Sequence, residues 1–323
     1  MNTKIILLII ISLVLTFSCT NSPDPDQEFA DISGPYLGQD PPGMTPEIFA
    51  PGIISKRYNE FKIVFTPDGK ELFLQIWGAP FPVICTMKEV NGKWTKPIIA
   101  HFSGQIIECF DISPDGKKLF GSSRRPLAGG SKLSDDWFVW VVEKNETGWG
   151  DIRALGPSIH GYPTVAANGN LYLAEESDMW LSEYVNGEYT EMVKLDNSVN
   201  TEKSEQDPFI APDESYLMFC RREGGYGSWD IYISFRNDDG SWTEAVNMGE
   251  NINTSVSDVY PFVTTDGKYF FFSSRRTIHE EYSDIPITYE EKVEIMNSPG
   301  NGLQDIYWVD ARIIENYKPN HLK

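Results

Sequence analysis

Histidine and cysteine, the residues that most often build metal and nucleophilic centres, are scarce here: four of each in 323 residues. No Cys-x-x-Cys pair and no Cys/His spacing of a zinc site occurs. The Gly-x-Ser-x-Gly elbow of serine hydrolases and the His-Glu-x-x-His helix of metallopeptidases are both missing, and only His101, His160, His279 and His321 remain as imidazole bases. Positive charge is also in short supply. Lys and Arg number 27 against 47 Asp and Glu, giving a formal net charge of −20. Such a field repels phosphate backbones, so nucleic acid is not an expected partner. Sustained helical spacing is absent as well, which excludes a helical solenoid.

What the chain has instead is strand composition. Hydrophobic residues make up 41% and aromatic residues 13%. The rings recur in short runs separated by Asp and Gly, the pattern of strands and tight turns. Runs such as Tyr269 to Phe272 are apolar on both strand faces, which suits a sheet held between two neighbouring sheets. The expected class is all-β.

The N-terminal segment sets the compartment. Lys4 precedes an apolar run from Ile5 to Leu15, too short for a bilayer core that needs roughly 20 apolar residues, so it reads as a signal peptide. Thr16, Phe17 and Ser18 lead into Cys19, which resembles the lipobox of bacterial lipoproteins. That resemblance implies cleavage before Cys19 and acylation of its side chain. The following residues are polar, acidic and broken by proline, as in a tether. Thr20 after the cysteine implies, again by resemblance, sorting to the outer membrane, facing either the periplasm or the surface. The expected layout is a signal at 1–18, a lipidated cysteine and flexible tether at 19–46, a folded domain at 47–317 and a tail at 318–323. Cys85, Cys109 and Cys220 sit in apolar runs, either as small core residues or with a Cys85 to Cys109 disulfide.

One word recurs five times: TPDGKELFL from Thr66, SPDGKKLFGSS from Ser113, AANGNLYLA from Ala166, APDESYLMFC from Ala211 and TTDGKYFFFSS from Thr264. Its turn residues, Asp68, Asp115, Asn168, Asp213 and Asp266, are 47, 53, 45 and 53 residues apart, near the period of propeller blades. Asp or Asn before Gly suits a tight hairpin. Glu214 follows Asp213 where the other units have Gly, so that hairpin is expected to tighten differently. A second cue, an aspartate opening a strand, follows at Asp136, Asp178, Asp230 and Asp305; the first unit has Val83-Ile84-Cys85 instead. A glycine turn and aromatic at Gly92, Gly148, Gly187 and Gly240 introduce a fourth strand.

Together PDGK, SSRR and DIY resemble the WD-like propeller units of TolB-type bacterial envelope proteins. The resemblance implies a β-propeller over about residues 47–317. Five blades are expected, with six, the usual TolB number, as the alternative. After Asp305 to Val309 no fourth strand follows, whereas Glu47 to Ile54 resembles one without a repeat before it. These ends are expected to share the last blade, which closes the ring and removes a sheet edge. Residues 277–302 read as a surface insertion with a short helix at Tyr289 to Met296.

Innermost propeller strands line the axial channel, so Glu60, Glu108, Glu205 with Asp207, and Asp258 are expected to meet near one mouth. His160 holds the matching place in the third unit and interrupts the ring. Such carboxylates would bind Ca²⁺ or Mg²⁺ or a hydroxyl-rich sugar; alternatively they cap strand entries and bond local backbone or a neighbouring blade's Arg. Arginine pairs recur at Arg124, Arg221 and Arg275, each with an Arg following, and the Asp opening the next strand is their expected partner. Trp77, Tyr226 and Trp229 are expected in loops where rings stack on a sugar. The favoured function is a noncatalytic, monomeric binding module for a protein or glycan partner, held to a membrane by its lipid. The alternative, by resemblance to five-bladed glycosidases, is hydrolysis by Glu60, Glu108, Glu205 or Asp258 in a central funnel.

Overall fold

The structure, a computed structural model, describes residues 32–78, 80–103, 108–127, 132–223, 225–279 and 286–323. The signal sequence and Cys19 lie outside the described residues. No helix among the described residues is long and apolar enough to cross a membrane.

Five antiparallel sheets form a closed five-bladed β-propeller. In the first blade Asn59–Phe65, Glu71–Trp77 and Val83–Val90 are joined by the short strands Lys93–Trp94 and Ile98–Ile99. The second holds Glu108–Ile112, Lys118–Ser123, Phe138–Asn145 and Gly148–Ala154. Tyr162–Val165, Leu171–Glu175, Asp178–Ser182 and Val193–Lys194 make the third. The fourth comprises Glu205–Ile210, Tyr216–Arg222, Trp229–Phe235 and Val246–Asn247. In the fifth, Asp258–Val263, Tyr269–Ser274 and Asp305–Asp310 are completed by Glu47–Ile48 from the other end of the chain. First strands touch in ring order, and the first blade meets the fifth.

The repeated word builds each first hairpin by one local device. Asp68, Asp115 and Asp266 each accept a hydroxyl, from Thr66 at 2.7 Å, Ser113 at 2.6 Å and Thr264 at 2.7 Å, and also the N–H two residues on. This is the Asx turn that lets a short side chain stand in for backbone. Gly116 then takes φ +70°, and a Cβ there would lie 2.6 Å from Pro67 Cδ of the preceding blade. The unit with Glu214 tightens through a different hydroxyl, Ser215 Oγ on Asp213 at 2.6 Å in place of the missing one at Ala211, while its backbone turn is the same, with Glu214 at φ +60°. Its carboxylate accepts from Asn168 Nδ2, Asn170 Nδ2 and Tyr172 Oη and pairs with Arg236 at 3.1 Å. A residue strained in the left-handed region is thereby retained as a clamp between the third and fourth blades.

Ring closure follows the expected pairing, with Glu47 opposite Trp308 and Ile48 opposite Tyr307. The strand is shorter than the sequence suggests, because the chain turns at Ala50, φ +43°, and Phe49 dives into the core. There Phe49 meets Trp308 at 4.9 Å and Phe271 at 5.1 Å between ring centroids. Within residues 32–46, part of the stretch read from sequence as tether, some side chains pack on the propeller while others are exposed. Tyr36 and Leu37 are buried, Tyr36 lies 5.0 Å from Phe65 and 4.9 Å from Tyr269, and Trp94 Nε1 donates to Gly34 O. Proline and glycine in this segment gave it loop composition, but Tyr36 and Leu37 dock over the closure. The C-terminal residues are tied down too, with Leu322 packed on the core and His321 beside Asn237. Within the insertion, the helix Tyr289–Met296 forms with a Thr288/Glu291 capping box.

Candidate functional site

The first strand of four blades carries a register break, between Glu60 and Lys62, Glu108 and Asp111, Gln206 and Phe209, and Val259 and Phe262. A bulge of this kind inserts an extra residue and re-aims the side chains beyond it. Cys109, Asp207 and Tyr260 occupy it with φ of 45°, 52° and 57°, a region costly for non-glycine residues, by roughly 1–3 kcal/mol each. Three strained residues at one repeat position, all around the axis, mark the centre of the propeller as a built site.

Those three side chains line an open cavity of about 500 Å³ at the axial mouth, together with Phe61, Tyr162, Gln206, Glu108, Arg275 and the indoles of Trp77 and Trp229. Phe61 bridges Trp77 and Tyr260, at 5.5 Å from each ring. Burial pushes Glu108 up to about 7 against the pull of Arg124. Burial likewise pushes Asp207 up to about 7, opposed by the Lys62 ammonium and a hydrogen bond from the Cys220 thiol. Below the mouth, Asp111 accepts from Thr164 Oγ1 at 2.7 Å, and Lys62 is buried close by. Burial holds the Cys109 and Cys220 thiols well above their ordinary range, so they are neutral and unsuited to nucleophilic attack. All three described cysteines are free, including Cys85.

Only part of the expected carboxylate ring is at this mouth. Glu108 and Asp207 line it. Glu205 is fully buried in the blade, where it takes Arg221 Nε at 2.7 Å and Thr201 Oγ1 at 2.7 Å. Asp258 is equally buried and takes Arg276 Nη2 at 2.8 Å and Thr254 N at 2.6 Å. Glu60 is buried at the seam between the first and fifth blades. His160 lies 3.1 Å from Glu175 in the third blade. Among the described residues no three His, Cys, Asp or Glu side chains surround a common metal position, so the expected ring of Ca²⁺ or Mg²⁺ ligands does not form. The reason is the bulge: it reverses the alternation, sending the acidic residue into the blade and its neighbour toward the axis. The repeat alignment held a signal for this in the residues one or two positions after each carboxylate, Phe61, Cys109, Asp207 and Tyr260, which are unlike one another as site residues are.

The arginines also differ from expectation. Arg221 and Arg276 bond the first-strand carboxylates rather than the aspartates opening the third strands. Asp230 instead accepts from Gly227 N at 2.9 Å and Asn247 Nδ2 at 2.9 Å, and Asp305 from Gly300 N at 2.7 Å. In the fifth blade the pairing residue is Arg276, while Arg275 lines the mouth. Arg124 donates to Ser134 O at 2.7 Å and lies 3.6 Å from Asp135. Arg221 and Arg276 thus reach across the first hairpin, whereas Arg124 turns toward the entry of the third strand.

No family model matches the chain, and no curated protein matches it. Among solved structures it is similar to the GH43 protein BlXynB of Bacillus licheniformis, with 12% identity over 83% of this chain and 57% of that one, TM-score 0.48. It is also similar to an α-L-arabinofuranosidase of Podospora anserina solved with cellotriose, with 9% identity over 83% and 93% and a TM-score of 0.47. A third is hydrazine synthase of Kuenenia stuttgartiensis, with 13% identity over 74% and 62% and a TM-score of 0.39. The chain thus spans about six tenths of the hydrazine synthase chain. These likenesses concern the course of the backbone, and no site residue is carried across from them.

Proposed function

We propose that this chain is an envelope-anchored lipoprotein whose propeller binds a neutral glycan at its axial mouth. One observation carries the reading. A concave site of about 500 Å³ sets two indole rings, Trp77 and Trp229, beside carboxyl, amide and guanidinium groups from Glu108, Asp207, Gln206 and Arg275. Apolar rings offer faces to the C–H side of a sugar, and convergent polar groups meet its hydroxyls, as ligand pockets do. A protein partner favours a broader and flatter surface.

A second reading, glycoside hydrolysis, has its own support in the two carboxyl groups of one open pocket. Burial raises both to about 7, so near neutrality one can hold a proton as acid while the other is ionised as base. Isothermal titration with short neutral oligosaccharides, with release of reducing ends followed in parallel, tests both. Binding that weakens at least about tenfold in Trp77→Ala, without turnover, supports recognition alone. Turnover that disappears in Glu108→Gln supports hydrolysis. Neither binding nor turnover across the sugars sinks both readings.

The lipobox-like run before Cys19 and the PDGK, SSRR and DIY words support placement among TolB-like propeller lipoproteins, at the outer membrane. Cys19→Ser should leave the fold intact and release the protein from membranes, since acyl chains supply the anchor. Membrane pelleting unchanged in that variant would contradict the placement.

A further inference from the structure

The repeat supplies a carboxylate near the start of the first strand in four blades, and three of those have an arginine within reach. Glu205 stands opposite Arg221 in the sheet register, while Asp258 and Glu108 stand opposite Ser274 and Ser122, with Arg276 and Arg124 two residues on. In the first blade Glu60 stands opposite Ile76, and two residues on is Gly78. Glu60 is nevertheless as buried as Glu205 and Asp258, at 0% exposure. The blade keeps the anion and lacks its cation.

The surroundings do not make up the loss. Backbone N–H groups of Lys56, Tyr58 and Glu60 itself approach the Glu60 carboxylate and favour its ionised form, but neither oxygen reaches hydrogen-bond geometry. Its backbone N–H donates to Gln304 O at 2.9 Å, which ties it to the fifth blade across the seam. The next residue, Asp305, is also buried; its Oδ2 accepts from Gly300 N, but Oδ1 has no partner. Buried Gln304 Oε1 is a further oxygen on this seam without a partner. Asp305 is close enough to raise the Glu60 carboxyl. Buried polar atoms are almost always satisfied, so unsatisfied oxygens on two adjacent acids and an amide point to an occupant with positive charge and an appetite for oxygen.

We propose that the seam between the first and fifth blades binds a hard divalent cation through the Glu60 carboxylate, Asp305 Oδ1 and Gln304 Oε1, where the fourth and fifth blades use arginine on the matching carboxylate. Carboxylate and amide oxygens are the donors Ca²⁺ takes. Glu60 and Asp305 do not line the axial mouth, whereas Gln304 does, so the position adjoins the mouth from the seam side. It lies where the chain closes on itself: Ser55 Oγ donates to Ile306 O, and Ile306 N donates back to Ser55 Oγ. A cation here joins the first blade to the strand that pairs with Glu47–Ile48, and so secures the ring.

The test is thermal unfolding of the full chain at neutral pH in CaCl₂ and in EDTA. Calcium at about 100 times its dissociation constant should raise the midpoint by roughly 5 °C. Ile76→Arg places a guanidinium where Arg221 stands in the fourth blade; this variant should unfold in EDTA no earlier than the native protein and should not respond to calcium. Glu60→Gln, nearly isosteric, should also lose the response, and it serves if Ile76→Arg does not fold. Equal midpoints in calcium and EDTA for the native protein would overturn the proposal and leave a proton shared between the two acids as the occupant. A calcium shift that persists in both variants would place the ion on surface carboxylates and overturn it equally.

Discussion

Replacing Arg221 with alanine is expected to destabilise the protein by about 3–5 kcal/mol, the effect of stranding one member of a buried ion pair. Glu205 has no exposed surface and the Arg221 side chain is 10% exposed. Besides its 2.7 Å bond to Glu205, the guanidinium donates to Val199 O at 2.8 Å and lies 4.4 Å over the Tyr232 ring. Without it the carboxylate keeps Thr201 but loses its counter-charge, and the Tyr232 face loses its cation. The loss comes mainly from the stranded partner, so removing both charges together, as in Glu205→Gln with Arg221→Met, should recover most of it. Arg153 supplies the contrast. Its pair with Glu143 is about half exposed on both sides, and Arg153→Ala should change stability by less than about 1 kcal/mol. Urea unfolding of the variants measures all of this. A loss under about 1 kcal/mol for Arg221→Ala would mean that water reaches Glu205 and that the arginines do not organise the blades.

These pairs also show where sequence reading stops. The hairpin words were decisive because Asp, Gly and hydroxyl residues act on their own neighbours, within five residues, and the same turn forms whatever the rest of the chain does. Blade number followed from their spacing, and ring closure from one missing strand and one spare. The direction of the carboxylates was out of reach. It depends on a one-residue bulge, which has no composition of its own and reverses the face of every residue beyond it. Hence Glu205 and Asp258, read as channel residues or as partners of backbone and a neighbouring blade's Arg, pair with an arginine of their own blade, while Lys62, Asp111 and Tyr260 went unnoticed and Cys109 was read only as a core or disulfide residue. Tyr36 and Leu37 were missed for a different reason. Two apolar residues among prolines and glycines carry no periodicity, and only the exposed closure seam gives them somewhere to dock.

Asp207 gives the second large effect, through pH. Its carboxyl is raised from 3.8 to about 7, by burial first. The folded chain therefore holds a proton that the unfolded chain has released, and stability falls as pH rises through that window, from near 4 to near 7. Three pH units at about 1.4 kcal/mol each set an upper bound of about 4 kcal/mol, the opposing pull of Lys62 being already contained in the value of about 7. Glu108 acts in the same direction, with less weight because it is partly solvated. Asp207→Asn removes the titration and keeps the shape, and asparagine tolerates the left-handed backbone at this position at least as well. Urea unfolding at about pH 5 and about pH 8 should show the native protein losing stability while the variant loses far less. Parallel behaviour of the two proteins would mean that Asp207 stays ionised against Lys62 throughout. Near neutral pH, then, both the strained backbone and the buried acid at this position work against stability, and a neutral amide would fold as well or better. A residue doubly unfavourable to the fold belongs to the site it lines, which is why the axial mouth, rather than any cavity between blades, is where ligand binding is expected.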